Sequence, residues 1–125
     1  MLIFPFLVII VRPATKTQVG ETATLDWSLS ISDPYRLVKL LLFNKTTPLQ
    51  ELARKEANKK PVPGHNVPRR YKNRTFFDVD EIENRAFFIL MNVTMHDNCS
   101  YFGVEVNTNR TSSTAIRILE VVGEN

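Results

Sequence analysis

The chain has 125 residues, of which 43% are hydrophobic and 23% charged, and its formal net charge is +3. This composition excludes a disordered or collagen-like chain, and the length suits a single domain over residues 1–125 with one modest core. No apolar run approaches the roughly 20 residues that a membrane-spanning helix needs, and the charge is too small to identify an acidic partner by itself.

The chain opens on the apolar run MLIFPFLVIIVRP. Residues 1–12 are either an N-terminal strand or the remnant of a signal segment. No basic residue precedes the run and no small-x-small cleavage site follows it, which disfavours a signal peptide. We therefore expect an edge strand containing residues 7–11, where Pro5 and Pro13 would be tolerated.

The next predicted element alternates between apolar and polar residues. Within residues 22–31, Ala23, Leu25, Trp27 and Leu29 fall on one face and polar residues fall on the other. This period of two predicts a half-buried strand.

Residues 37–43 form a nearly continuous apolar run that is broken only by Lys39. Such a run is typical of a strand that is covered on both faces, or of one whose second face is reserved for a partner. The pattern then weakens. Residues 48–60 are expected to make a short helical turn, and residues 61–72 a loop because of their Pro and Gly content.

Four more strands are predicted in the second half of the chain. They correspond to the segments RTFFDV, RAFFILMNV, YFGVEVN and AIRILEVV, and the last strand is expected over residues 114–122. Several short strands separated by turn signals predict an all-β fold, a two-sheet antiparallel sandwich.

Two segments resemble the V-set of the immunoglobulin superfamily. The segment GETATLDW resembles its second strand, with Trp27 where the family has a cysteine. The segment RAFFILMNVTMHDNCSYFG resembles its fifth and sixth strands, with Asp97 and Tyr101 matching the conserved aspartate and corner tyrosine. Gly103 stands at the second cysteine position, and Arg74 matches the arginine that pairs with the aspartate.

This resemblance covers residues 13–122 and implies an immunoglobulin-like V-set β-sandwich with Greek-key connections. Both positions of the disulfide between the sheets are lost, although such a bond would contribute about 4 kcal/mol. We expect the Trp27 indole to enter the space left at Gly103. In the alternative, Trp27 lies off that register and Gly103 only marks a bulge. The expected neighbours of Trp27 are Phe88, Leu90, Leu40 and Leu42.

Five Asn-x-Ser/Thr sequons predict an extracellular protein, since about one would arise by chance. The alternative is that Asn and Thr merely favour turns and strands. We expect this segment on the extracellular face of the plasma membrane, with a membrane anchor of the parent protein outside it. The sequons are at Asn44, Asn73, Asn92, Asn98 and Asn109.

Catalysis is not expected. His96, Asp97 and Cys99 are close in sequence, but a nucleophile needs an oriented base and an oxyanion hole that separate elements usually supply. No metal constellation, phosphate loop or nucleotide fingerprint is present, so no cofactor or metal is predicted. The single cysteine, Cys99, excludes an internal disulfide and is expected to be a small buried thiol, or alternatively to form an intermolecular disulfide.

A recognition face is predicted on the sheet that holds the third and sixth strands. The family register turns Tyr101 and Gly103 inward and leaves Phe102 and Val104 outward. An exposed apolar cluster on this face implies a protein partner; alternatively, the intervening loop or a bulge covers it. Three residues of the third strand are expected to flank the cluster: Lys39, Leu41 and Phe43.

Half of the 16 basic residues lie between residues 54 and 74. Three interpretations of this segment stay open: binding of a sulfated glycan or acidic lipid head groups through Arg69 and Arg70, complementarity with the acidic segment 78–83 of a second copy, or, as is most common for such a run, a solvated loop. Nucleic acid is disfavoured because no reading motif is present.

The V-set pattern, the missing disulfide and the dense sequons together resemble the membrane-distal domain of invertebrate allorecognition receptors, in particular those of colonial hydroids. The resemblance implies homophilic adhesion, in which the domain binds the same protein on an opposing cell and the affinities of many weak contacts are summed. The alternatives are a heterophilic receptor domain, a viral decoy of one, and a glycosaminoglycan-binding module.

Overall fold

The computed structural model describes residues 8–11 and 14–123, which form an all-β fold of two sheets in a sandwich-like arrangement. Two 3₁₀ turns lie between strands, at Arg69–Tyr71 and Met95–Asp97, and no α-helix occurs within the described ranges. The strands are β1 (Val8–Val11), β2 (Thr15–Gln18), β3 (Ala23–Ser28), β4 (Tyr35–Asn44), β5 (Thr47–Glu56), β6 (Val62–Pro63), β7 (Thr75–Asp80), β8 (Arg85–Leu90), β9 (Ser100–Thr108) and β10 (Ser112–Val122).

The large sheet has the order β1-β10-β9-β4-β5-β6, and β2 also pairs with β10. The small sheet has the order β3-β8-β7. All pairs are antiparallel except that β1 and β2 both run parallel to β10. The chain thus crosses between the sheets after β2, β3, β6 and β8.

The expected N-terminal edge strand is present as β1 at the end of the large sheet. Leu7, Pro5 and Pro13 lie outside the described residues. The strands expected in residues 22–31 and 37–43 and in the second half of the chain are confirmed, with shifted ends.

The helical turn expected in residues 48–60 is wrong, because this segment lies mostly in β5. Leu, Glu, Ala, Arg and Lys are good helix formers, but pairing with β4 outweighs that local preference. The pairing contains two irregularities in register, and β5 is followed by a short hairpin to β6.

Aromatic side chains fill much of the space between the sheets. Trp27 is only 2% exposed and belongs to the same buried cluster as the four neighbours expected for it. The ring of Phe102 lies 4.9 Å from that of Phe88 and 5.9 Å from that of Tyr71, edge-on to the latter. Such contacts add to the free energy gained from burial.

The inward and outward positions of β9 differ from the expectation by one residue. Phe102 and Val104 belong to the core between the sheets, whereas Tyr101 and Gly103 face the opposite side. The expected pairing of Trp27 with Gly103 is therefore wrong. Successive side chains along a strand point to opposite faces of the sheet. A shift of one residue therefore exchanges the inward and outward residues of β9.

Candidate recognition surfaces

The outer face of the large sheet carries a small apolar cluster, here called the outer cluster: Leu41, Phe43 and Ile116, with Tyr101 packed against them. Leu41 and Phe43 face outward as expected, but they are only 8% and 5% exposed. The exposed apolar surface predicted from Leu41, Phe43, Phe102 and Val104 is therefore wrong: two of these residues are in the core and two are buried in the outer cluster.

Gly103 explains how Phe43 packs on this face. A Cβ atom at Gly103 would lie 2.6 Å from Cε1 of Phe43, 2.9 Å from the carbonyl oxygen of Ala115 and 3.1 Å from Cγ1 of Ile116. The missing side chain thus gives room to the Phe43 ring on the outer face, not to the Trp27 indole.

Charged residues of both signs lie beside the outer cluster. Lys39 on β4 is directly opposite Glu105 on β9 and Arg54 on β5, and all three are partly exposed. Arg54 makes two hydrogen bonds to Glu51, at 2.8 and 3.0 Å. The exposed part of this face therefore carries charges of both signs rather than an apolar patch.

The ion pair expected between Arg74 and Asp97 is present. Nη2 of Arg74 lies 2.7 Å from Oδ2 of Asp97, whose side chain is 2% exposed. Burial disfavours the charged form of Asp97, but the hydrogen bonds from Arg74 and from the backbone N–H of Thr94 outweigh it and lower the pKa of the carboxyl group. Arg74 also donates to three carbonyl groups, those of Arg70, Met91 and Asn92, so it joins β7 to two neighbouring segments.

Sequence reasoning missed a polar cluster that links the two sheets around the buried Lys55 side chain. The Lys55 amine on β5, only 8% exposed, lies 3.3 Å from the Tyr35 hydroxyl and 3.4 Å from the carboxylate of Glu81 beyond β7. The Tyr35 hydroxyl donates to Glu81 at 2.6 Å, and burial together with this bond raises the pKa of Tyr35. No sequence signal distinguishes Lys55 from its basic neighbours.

The basic segment divides into two groups. Ion pairs join Arg54 to Glu51, Lys55 to Glu81, Lys59 to Glu56 and Arg74 to Asp97. By contrast, Lys60, Arg69, Arg70 and Lys72 are exposed, and none makes an ion pair with another described residue. The proposed complementarity with residues 78–83 is weakened, because Glu81 is already paired and Asp80 accepts hydrogen bonds from the backbone of its own turn.

Four of the five sequon asparagines are exposed, at the end of a strand or in a turn: Asn44, Asn73, Asn92 and Asn109. Asn73 and Asn92 have left-handed backbone conformations, with φ of 64° and 51°, which asparagine tolerates better than most residues. The fifth, Asn98, is half-buried, and its side-chain oxygen accepts a hydrogen bond of 2.9 Å from the backbone N–H of Val121.

Cys99 is exposed with φ of 61°, so the expected buried thiol is wrong. Across residues 8–11 and 14–123, no three His, Cys, Asp or Glu residues are grouped so as to hold a metal ion. Nor does this part of the chain contain a helix with the length and apolar character needed to cross a membrane.

No protein-family model matches the chain, and no curated protein matches it either.

Proposed function

We propose that this chain is a V-type immunoglobulin-like domain on the outer surface of a cell, and that it recognises a second copy of itself on an opposing cell. The strand topology carries the proposal. Strands β3, β8 and β7 correspond to one sheet of a V-type domain, and β10, β9, β4, β5 and β6 correspond to the other, including the two extra strands of the variable type.

The ion pair between Arg74 and Asp97 supports the same assignment, because it lies at the turn that leads into the sixth-strand equivalent, β9. The departure from the family is in the core. Phe102, Phe88 and Tyr71 pack together in the core that also holds Trp27, whereas V-set domains have a disulfide between the sheets.

The extracellular location is supported by the four exposed sequons. N-linked glycans are bulky and occupy surface positions in secreted proteins. Asn73, Asn92 and Asn109 lie in turns outside the strands of the large sheet, and Asn44 is the last residue of β4, five residues from Lys39. Glycans on these sites therefore leave the part of the outer face around Lys39 and Glu105 accessible.

Recognition of an identical copy is supported by the charge pattern of the outer face. Lys39 and Glu105 are direct neighbours on β4 and β9. When two copies face each other across a two-fold axis near this pair, Lys39 of each copy meets Glu105 of the other. A face of one sign would repel itself, whereas this face is electrostatically complementary to a copy of itself.

Beads coated with the glycosylated domain test the proposal. Single contacts of this kind are weak, but many contacts between two beads add their affinities. Wild-type beads are expected to clump with each other, and beads coated with the Lys39→Glu variant are expected to stay dispersed. Dispersed wild-type beads at high coating density would contradict homophilic recognition and leave the heterophilic alternative.

A matched control is the Lys16→Glu variant, which makes the same charge change at an exposed residue of β2. It should clump like the wild type. Equal loss of clumping in both variants would mean that net charge, and not the outer face, controls the association.

A further inference from the structure

Three exposed cations share the first 3₁₀ turn and the residue after it: Arg69, Arg70 and Lys72, here called the basic turn. Each is free of an ion pair with the described residues, although four other basic residues of the same segment are paired. Cations that no close carboxylate neutralises remain available to an external anion.

The basic turn is held rigidly on the core. Tyr71, at the end of the 3₁₀ turn, is 1% exposed and packs edge-on to Phe102. The backbone N–H of Tyr71 donates to the carbonyl of Pro68 at 2.9 Å, and that of Lys72 donates to the carbonyl of Arg69 at 3.1 Å. The cations therefore extend from a fixed backbone, which lowers the entropy lost when a ligand binds.

Two further contacts fix the position of Arg70. Its carbonyl accepts a hydrogen bond of 2.9 Å from Arg74, whose guanidinium group is itself bound to the buried Asp97. The Arg70 guanidinium group lies 4.7 Å from the centre of the Tyr71 ring, a distance at which cation and ring attract each other. The structural ion pair thus supports the backbone from which the free cations project.

We propose that the basic turn binds a sulfated polysaccharide of the glycosaminoglycan type. Arginine forms paired hydrogen bonds with planar or tetrahedral oxyanions, and lysine adds a point charge. The choice of a polysaccharide rests on the extracellular location in the proposed function. Nucleic acid is disfavoured by the site itself, because Tyr71, the aromatic residue of the turn, is buried and offers no face on which a base could stack.

Heparin affinity of the glycosylated domain, measured over a range of salt concentrations, tests the proposal. At 0.15 M salt the Arg69→Ala/Lys72→Ala variant should bind heparin at least roughly tenfold more weakly than the wild type, with a shallower salt dependence. This variant retains Arg70 and its contact with Tyr71, and its thermal unfolding should match that of the wild type.

The control variant is Lys16→Ala/Arg110→Ala, which loses the same charge at two exposed residues outside the turn. It should retain affinity for heparin within about twofold. Equal weakening in both variants, or equal binding of desulfated heparin, would overturn the proposal. Tighter binding to anionic phospholipid vesicles or to single-stranded RNA than to heparin would also overturn it. None of these outcomes depends on whether the domain clumps with itself.

Discussion

Both faces of the large sheet bury apolar side chains where β4 and β9 pair, but the two faces pack differently. On the inner face, Phe102 contacts Phe88 and Tyr71 in the space shared by the two sheets. On the outer face, Phe43 lies over Gly103 in a cluster of only a few residues. This chain therefore buries aromatic side chains on both sides of one sheet, and the larger share of the stabilisation comes from the inner side, where many more apolar side chains are buried.

The largest effect is expected on the inner face. Phe102→Ala should lower the free energy of unfolding by about 3–5 kcal/mol, because it removes a fully buried ring and leaves a cavity. Urea denaturation measures this loss. Phe76→Ala, at a ring on the small sheet that is 49% exposed, is the control and should cost less than about 1 kcal/mol. Equal losses in the two variants would contradict the inward position of Phe102.

The next largest effect on stability is expected at the ion pair between Arg74 and Asp97. Arg74→Ala should lower the free energy of unfolding by roughly 3 kcal/mol, because it leaves the buried Asp97 carboxylate without its partner. Arg69→Ala, five residues away and exposed, should change it by less than about 0.5 kcal/mol. The same urea experiment serves both variants, and indistinguishable midpoints would refute a structural role for Arg74.

On the outer face, Gly103→Ala should cost about 1–3 kcal/mol, because the added Cβ overlaps Phe43 and the Ala115 carbonyl. In the Gly103→Ala/Phe43→Leu double variant the two effects should not add, since a smaller side chain removes part of the overlap. Strict additivity in thermal unfolding would show that Phe43 does not lie over Gly103.

The smallest effect is the dependence of stability on pH. The folded-state pKa of Asp97 is lowered from its ordinary value of 3.8, so its contribution to stability is complete above that value and is lost as pH falls through the lower folded pKa. The wild type should therefore lose more stability than Asp97→Asn when the pH falls below 3.8. Parallel pH profiles of the two proteins would contradict this assignment.

Some of these features follow from the sequence, and others do not. A period of two identified β3, and the match to a family motif identified the pair Arg74 and Asp97. Which residues of β9 face the core could not be predicted from alternation, because Tyr101, Phe102 and Val104 are all apolar and lie on both faces of the strand. The strand β5 was missed because its residues favour a helix when considered alone.

The recognition surfaces were also only partly predictable from the sequence. The concentration of basic residues was visible in the sequence, but their division into paired and free groups was not. Lys55 pairs with Glu81 and Arg74 pairs with Asp97, and the two members of each pair are more than 20 residues apart in the chain. Only the fold brings these charges together and leaves the basic turn without carboxylate partners among the residues that the structure describes.

Sedimentation equilibrium of two charge-reversed variants tests self-recognition through the outer face most directly. Lys39→Glu carries two negative charges at the proposed two-fold contact, and Glu105→Lys carries two positive charges. Each variant alone should remain monomeric at concentrations at which the wild type dimerises, and an equimolar mixture of the two should dimerise again. A mixture that stays monomeric while the wild type dimerises, or a wild type that never associates, would contradict the account.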